Sequence, residues 1–118
     1  MNIIDNDFAE LDVDIFNVLK KMFEEKFPDA VESYIVTAKE KVRAIMLATE
    51  KGDASGLEHA AHALKGASGQ FGALLLSELA RKMEVFGRCN EVDKAKEIVP
   101  DIIDARISVE KLMLKELG

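Results

Sequence analysis

The stretch AHALKGASGQFGA, residues 61 to 73, combines the periodicity of an amphipathic helix with three glycines. Apolar and small residues recur at spacings of three and four positions and so share one side of a helix: Leu57, Ala61, Leu64, Ser68 and Phe71. Gly66 and Gly69 interrupt this pattern, although each interior glycine costs a helix about 1 kcal/mol relative to alanine. The stretch therefore predicts a helix from about Ala54 to Phe71, ended by Gly72, with an unusually bare face.

The rest of the chain shows the same helical periodicity and almost none of the alternation that is typical of strands. Further helices are predicted over residues 11–26, 28–51, 73–86 and 91–117, with a tight turn at Gly52-Asp53 and an end at Gly87. In the first helix the expected buried face comprises Ile15, Val18, Leu19, Met22 and Phe23. Pro100 should break or kink the last helix. The prediction is an all-α fold, an up-and-down antiparallel four-helix bundle with an additional N-terminal helix packed across one end.

Composition limits the functions that are open to this chain. Its 118 residues fit one domain, residues 1–118, of which residues 1–10 are expected to be a flexible acidic lead-in. A net charge of −6 argues against binding nucleic acid, which needs a basic surface. The single cysteine, Cys89, together with the lack of a leader or a long apolar run, favours the cytoplasm and no membrane contact. We expect a monomer, because one bundle uses the predicted apolar stripes.

His62 is predicted to face water. If Leu57 marks the core direction, His62 lies about 140° away from it on the helix, and Gly69 and Gly66 follow on the same side. The imidazole therefore stands above a strip that another protein's backbone could approach closely. Lys65 lies one turn from the histidine and could reach an anionic group carried by the ring. An exposed nucleophile, a smooth strip and a cation together suggest phosphoryl transfer to or from the histidine.

These residues also resemble a known family. Residues 62–68 (HALKGAS), 72–73 (GA) and 79–84 (LARKME) resemble the histidine-containing phosphotransfer (HPt) domains of bacterial phosphorelays. The resemblance implies a carrier that accepts a phosphoryl group from a receiver-domain aspartyl phosphate of a hybrid sensor kinase and passes it to a response regulator. It assigns phosphorylation to His62, neutralisation of phosphate charge to Lys65, receiver docking to Gly66 and a shaping of the helix exit to Gly72. It also implies no cofactor of its own, with Mg²⁺ held by the receiver. The sequence contains no glycine-rich nucleotide loop, so we expect no autokinase activity.

Glu84 occupies a position where the family often has a polar side chain, and its carboxylate could orient the imidazole. It could equally be an ordinary surface residue. Ala67 replaces a serine of many relatives, and Gly69 makes the strip barer than the motif requires. Partner specificity is expected to lie in exposed residues around the strip, namely Glu58, His59, Ala63, Gln70 and Lys82.

Two other functions compete with the carrier. Glu58, His59 and His62 lie within about one helical turn, but a metal centre in a bundle takes ligands that point inward from several helices. We therefore expect no metal site. A helical adaptor that docks a receiver or kinase without phosphotransfer is the stronger alternative, and it should tolerate His62→Gln, whereas a carrier should not.

Overall fold

The computed structural model describes residues 8–118, which form five α-helices and one short 3₁₀ helix. The helices are α1 (Val13–Phe23), α2 (Phe27–Lys51), α3 (Ala54–Gln70), α4 (Leu74–Arg88) and α5 (Val92–Leu117), and the 3₁₀ turn (Glu24–Lys26) joins α1 to α2. The first seven residues of the predicted acidic lead-in lie outside the described residues. No helix in the described part is both long and apolar enough to cross a bilayer.

The four long helices form the predicted antiparallel bundle. Short turns connect α2, α3, α4 and α5, and each helix packs against two others: α2 and α4 both contact α3 and α5. Consequently α2 and α4 lie diagonally across the bundle. The predicted inner face of α3 is confirmed, since Leu57, Ala61, Leu64, Ser68 and Phe71 are all buried.

Two predicted helix boundaries are set by glycines with positive φ. Gly52 adopts the left-handed conformation (φ 69°) after α2, and the Asp53 side chain accepts a hydrogen bond from Gly56 N at 2.9 Å to cap α3. Gly72 (φ 83°) shapes the exit from α3, as predicted. Its carbonyl also accepts a hydrogen bond from Asp12 N at 2.8 Å, which fixes the start of α1 against this end of the bundle.

The predicted buried face of α1 is wrong by part of a turn. Of the five predicted residues only Leu19 is buried, while Val18 is 57% exposed and Met22 is 71% exposed; the other buried residue of α1, Phe16, was not predicted. The reason is aromatic packing, because the ring of Phe16 meets that of Phe27 edge-on with centroids 4.9 Å apart. The helix nevertheless lies across the predicted end, against the start of α2 and the α3–α4 turn.

Two predicted interruptions are absent where they were expected. The final helix continues unbroken from Val92 to Leu117 through Pro100. Proline removes one donor to the carbonyl of Lys96, and both residues are exposed, so water can satisfy that carbonyl. Gly87 likewise lies inside α4, and the turn that follows is made by Asn90 with φ 55°.

Candidate functional site

The imidazole of His62 lies on the outer side of α3, opposite the core. Its side chain is 69% exposed, while Leu57, Ala61 and Leu64 on the other side of the helix are fully buried. The orientation predicted from helical periodicity is therefore the one that the structure has. The ring is open to a partner from solvent.

Glu84 approaches this ring from α4. It is a buried carboxylate, only 5% exposed, and its Oε2 lies 2.7 Å from His62 Nδ1. Its Oε1 accepts a hydrogen bond from Lys65 Nζ at 2.6 Å. The hydrogen bond from Lys65, supported by that from His62, lowers the pKa of Glu84 despite the opposing effect of burial. The carboxylate is therefore ionised at neutral pH.

The contact with Glu84 determines which ring nitrogen carries the proton. An ionised carboxylate can only accept hydrogen bonds, so the Nδ1 atom of His62 must be the donor. In the neutral imidazole the lone pair then resides on Nε2, at the opposite edge of the exposed ring. The site thus holds the tautomer whose free lone pair, on Nε2, faces solvent.

A second cation, which sequence reasoning missed, completes the surroundings of Glu84. Arg88 Nη2 lies 3.4 Å from Glu84 Oε2, and Arg88 Nε donates to Glu58 Oε2 at 3.3 Å. Arg88 follows Glu84 by four residues on α4, a spacing at which opposite charges meet on a helix. That spacing is the sequence signal from which the contact between Arg88 and Glu84 could have been predicted. The buried carboxylate therefore has three positively charged or hydrogen-donating neighbours.

The glycines of this region divide into two kinds. A Cβ added at Gly66 would have nothing within 4 Å, so Gly66 opens the surface beside His62 as predicted. A Cβ at Gly69 would lie 3.3 Å from Ser77 Oγ, and at Gly87 one would lie 2.7 Å from Glu58 N. Gly69 was predicted only as part of the docking strip; the structure places its open side toward α4. Gly69 and Gly87 allow α3 and α4 to approach closely, which brings Glu84 within reach of His62.

The other predicted docking residues lie on α3 outside the core. His59 and Gln70 are exposed and Ala63 is half-buried, and His59 Nδ1 donates to the carbonyl of Ser55 at 2.7 Å. No group of three or more His, Cys, Asp or Glu side chains within residues 8–118 is arranged to hold a metal ion. The structure thus brings together His62, Lys65 and Glu84, and leaves His59 apart from them.

Comparisons with known proteins identify the family. The family model described as the Hpt domain matches residues 29–116. The crystal structure of histidine-containing phosphotransfer protein B (HptB) from Pseudomonas aeruginosa PAO1 superposes with a TM-score of 0.88 at 27% sequence identity, covering 92% of this chain and 94% of that one. No curated protein sequence matches the chain. Because the family model spans most of the sequence and includes every residue of the site, the chain belongs to the Hpt-domain family.

Proposed function

We propose that this protein is a phosphoryl carrier that accepts a phosphoryl group on His62 Nε2 from the aspartyl phosphate of one receiver domain and delivers it to the aspartate of another. The observation that carries the proposal is the pair of contacts from the buried Glu84 carboxylate to His62 Nδ1 and to Lys65 Nζ. An ordinary exposed histidine has no need of a buried, charge-compensated partner. Membership of the Hpt-domain family supports the same reaction.

The transfer step requires neither water nor an added base. The Nε2 lone pair attacks phosphorus, the bond from phosphorus to the aspartate oxygen breaks, and the aspartate leaves as a carboxylate. The ring keeps its Nδ1 proton and becomes a cation when the nitrogen–phosphorus bond forms. Glu84 stabilises that cation through the 2.7 Å contact, as an orienting aspartate does in hydrolase triads. Onward transfer reverses the same steps on a second receiver.

Lys65 supplies the charge that the phosphoryl group needs. Its Nζ is bound to Glu84 but its side chain is still one-third exposed, on the turn that follows His62. Rotation about its flexible stem brings the ammonium to phosphoryl oxygens on Nε2. Electrostatic stabilisation of this kind, together with positioning, provides most of the catalysis in phosphoryl transfer. A divalent cation, where the reaction uses one, belongs to the receiver.

The open surface at Gly66 lets the receiver approach. A phosphoryl group on Nε2 must lie in line between the imidazole and the acceptor aspartate, so the two proteins must come close at this point. Gly66 has nothing within 4 Å of its Cβ position, and a large side chain there would stand in the partner's path. We expect no autokinase activity, because the sequence contains no glycine-rich nucleotide loop.

The test is transfer of labelled phosphoryl from a phosphorylated receiver domain to the wild-type chain, to His62→Gln and to the matched control His59→Gln. Both histidines are exposed residues of α3, but only His62 contacts Glu84. We expect acid-labile, base-stable label on the wild-type chain and on the His59 variant, and none on the His62 variant. Label that persists in His62→Gln would refute the assignment. Binding of several receivers without any label would instead establish the adaptor.

A further inference from the structure

The outward side of α2 carries apolar residues that the bundle does not use. The buried residues of α2 define its inner side, while Val36 and Leu47 on the outer side are 50% and 47% exposed. Because α2 lies diagonally across the bundle from α4, this side is remote from Glu84. Val36 and Leu47 therefore lie outside the apolar face of α2 that the bundle covers.

Val36 and Leu47 belong to a regular line along this side. Together with Glu40 and Arg43 they are spaced by four, three and four residues, the spacing of a seam between two packed helices. We call these four residues the α2 outer stripe. Glu40 and Arg43 at its centre are exposed, and neither has an ion-pair partner within 4.0 Å among residues 8–118.

The α2 outer stripe is complementary to itself when two copies are antiparallel. With a two-fold axis midway between residues 41 and 42, Val36 lies opposite Leu47 of a second copy, and Glu40 lies opposite Arg43. One helical turn beyond each end of the stripe, Glu32 lies opposite Lys51 of the second copy. Symmetry repeats each pair, so two apolar contacts and four pairs of opposite charge result. No like charges stand directly opposite each other along this line.

We propose that this protein forms a symmetric antiparallel dimer in which the α2 outer stripe of one copy packs against the α2 outer stripe of a second copy. Stable dimers bury roughly 800 Å² on each partner, and a contact between two single helices is smaller than that. The dimer is therefore weak, with a dissociation constant on the order of 100 µM. Both His62 side chains stay exposed in this arrangement, because they lie on α3 beside α4.

Sedimentation velocity from about 10 µM to about 1 mM, concentrations that bracket the expected dissociation constant, tests the proposal. The sedimentation coefficient of the wild-type chain should rise with concentration toward that of a dimer. Arg43→Glu places a glutamate opposite Glu40 of the other copy, and symmetry repeats this repulsive pair, so association should weaken about tenfold or more. The double variant Glu40→Arg/Arg43→Glu exchanges the two charges and should restore the wild-type dissociation constant to within about threefold.

Lys111→Glu serves as the matched control, because it makes the same change in net charge on the exposed side of α5 and should leave association unchanged. Circular dichroism and labelling of His62 at low concentration show that each variant is folded. A wild-type chain that stays monomeric up to about 1 mM overturns the proposal. The proposal is also overturned if Arg43→Glu does not weaken association, or if the charge exchange does not restore it, because the contact then lies on another surface.

Discussion

Replacing Glu84 with glutamine changes one charge and almost no volume, yet we expect it to reverse the tautomer of His62. The carboxylate accepts from two donors, Nδ1–H of His62 and the ammonium of Lys65. A glutamine amide offers one acceptor and one donor, so it can match only one of them. The ammonium is always a donor and takes the amide oxygen. The amide N–H₂ then faces Nδ1, which becomes the acceptor, and the ring proton moves to Nε2.

The size of the effect follows from the lost contact. A hydrogen bond to a charged group contributes about 1.5 to 3 kcal/mol, and this one is strongest when the ring becomes a cation during transfer. At about 1.4 kcal/mol for each factor of ten, a loss of about 2 kcal/mol slows phosphotransfer to His62 about 30-fold. Glu78→Gln is the matched control on α4, because Glu78 pairs with Arg81 and not with the site. That variant should transfer at the wild-type rate.

Single-turnover transfer from a phosphorylated receiver measures the rate, and ¹⁵N NMR of the His62 ring reports the tautomer directly. The reasoning is refuted if Glu84→Gln transfers within about threefold of wild type, well short of the 30-fold that one charged contact accounts for, or if its ring keeps the proton on Nδ1. The pH dependence of stability adds a second readout. Since folding lowers the pKa of Glu84, its contribution is present above the ordinary value of 4.5 and is lost as pH falls below it. The glutamine variant should lack that part of the acid transition.

Two further predictions concern the scaffold. Gly72→Ala should lower the free energy of unfolding in urea by about 2 kcal/mol, since alanine is strained at positive φ and its Cβ would lie 2.9 Å from the carbonyl of Asp12; Gly52→Ala, also at positive φ but with free space, should cost only about 1 kcal/mol. Equal losses would show that the close approach has no effect. Tyr34→Phe and Ser68→Ala should each cost about 1 to 3 kcal/mol, because each leaves a buried hydroxyl without its 2.8 Å partner. The double variant should cost less than the sum of the two, and additive losses would mean that the pair is not coupled.

The fold could be predicted wherever a helix is packed on a well-defined side. The inner face of α3 followed from spacing alone because the bundle buries that whole face. In α1 the pattern failed, since apolar residues occur around much of this helix and only one side meets the bundle. Periodicity cannot say which side that is. The edge-on contact of Phe16 with Phe27, a tertiary interaction, decides it.

One part of the site, the exposed position of His62, could be predicted from the sequence. The exposure of His62 depends only on its own helix, so the sequence was enough. Contact with Glu84 depends on how α3 and α4 cross, and a single helix carries no information about that. The close approach of the two helices is possible because Gly69 and Gly87 carry no side chains, since added Cβ atoms would lie 3.3 Å from Ser77 Oγ and 2.7 Å from Glu58 N.

Glu84 also differs in kind from the other buried polar residues. Ser68 is buried with Tyr34 as its partner, a neutral pair that is complete within the fold. Glu84 is a buried charge, which is expensive unless it is compensated, and its compensation comes from partly exposed groups. In the proposed transfer Lys65 turns from Glu84 to the phosphoryl group, while Arg88, 3.4 Å away, still balances the carboxylate. Because two cations lie near the Glu84 carboxylate, the proposed movement of Lys65 to the phosphoryl group would not leave that buried charge uncompensated.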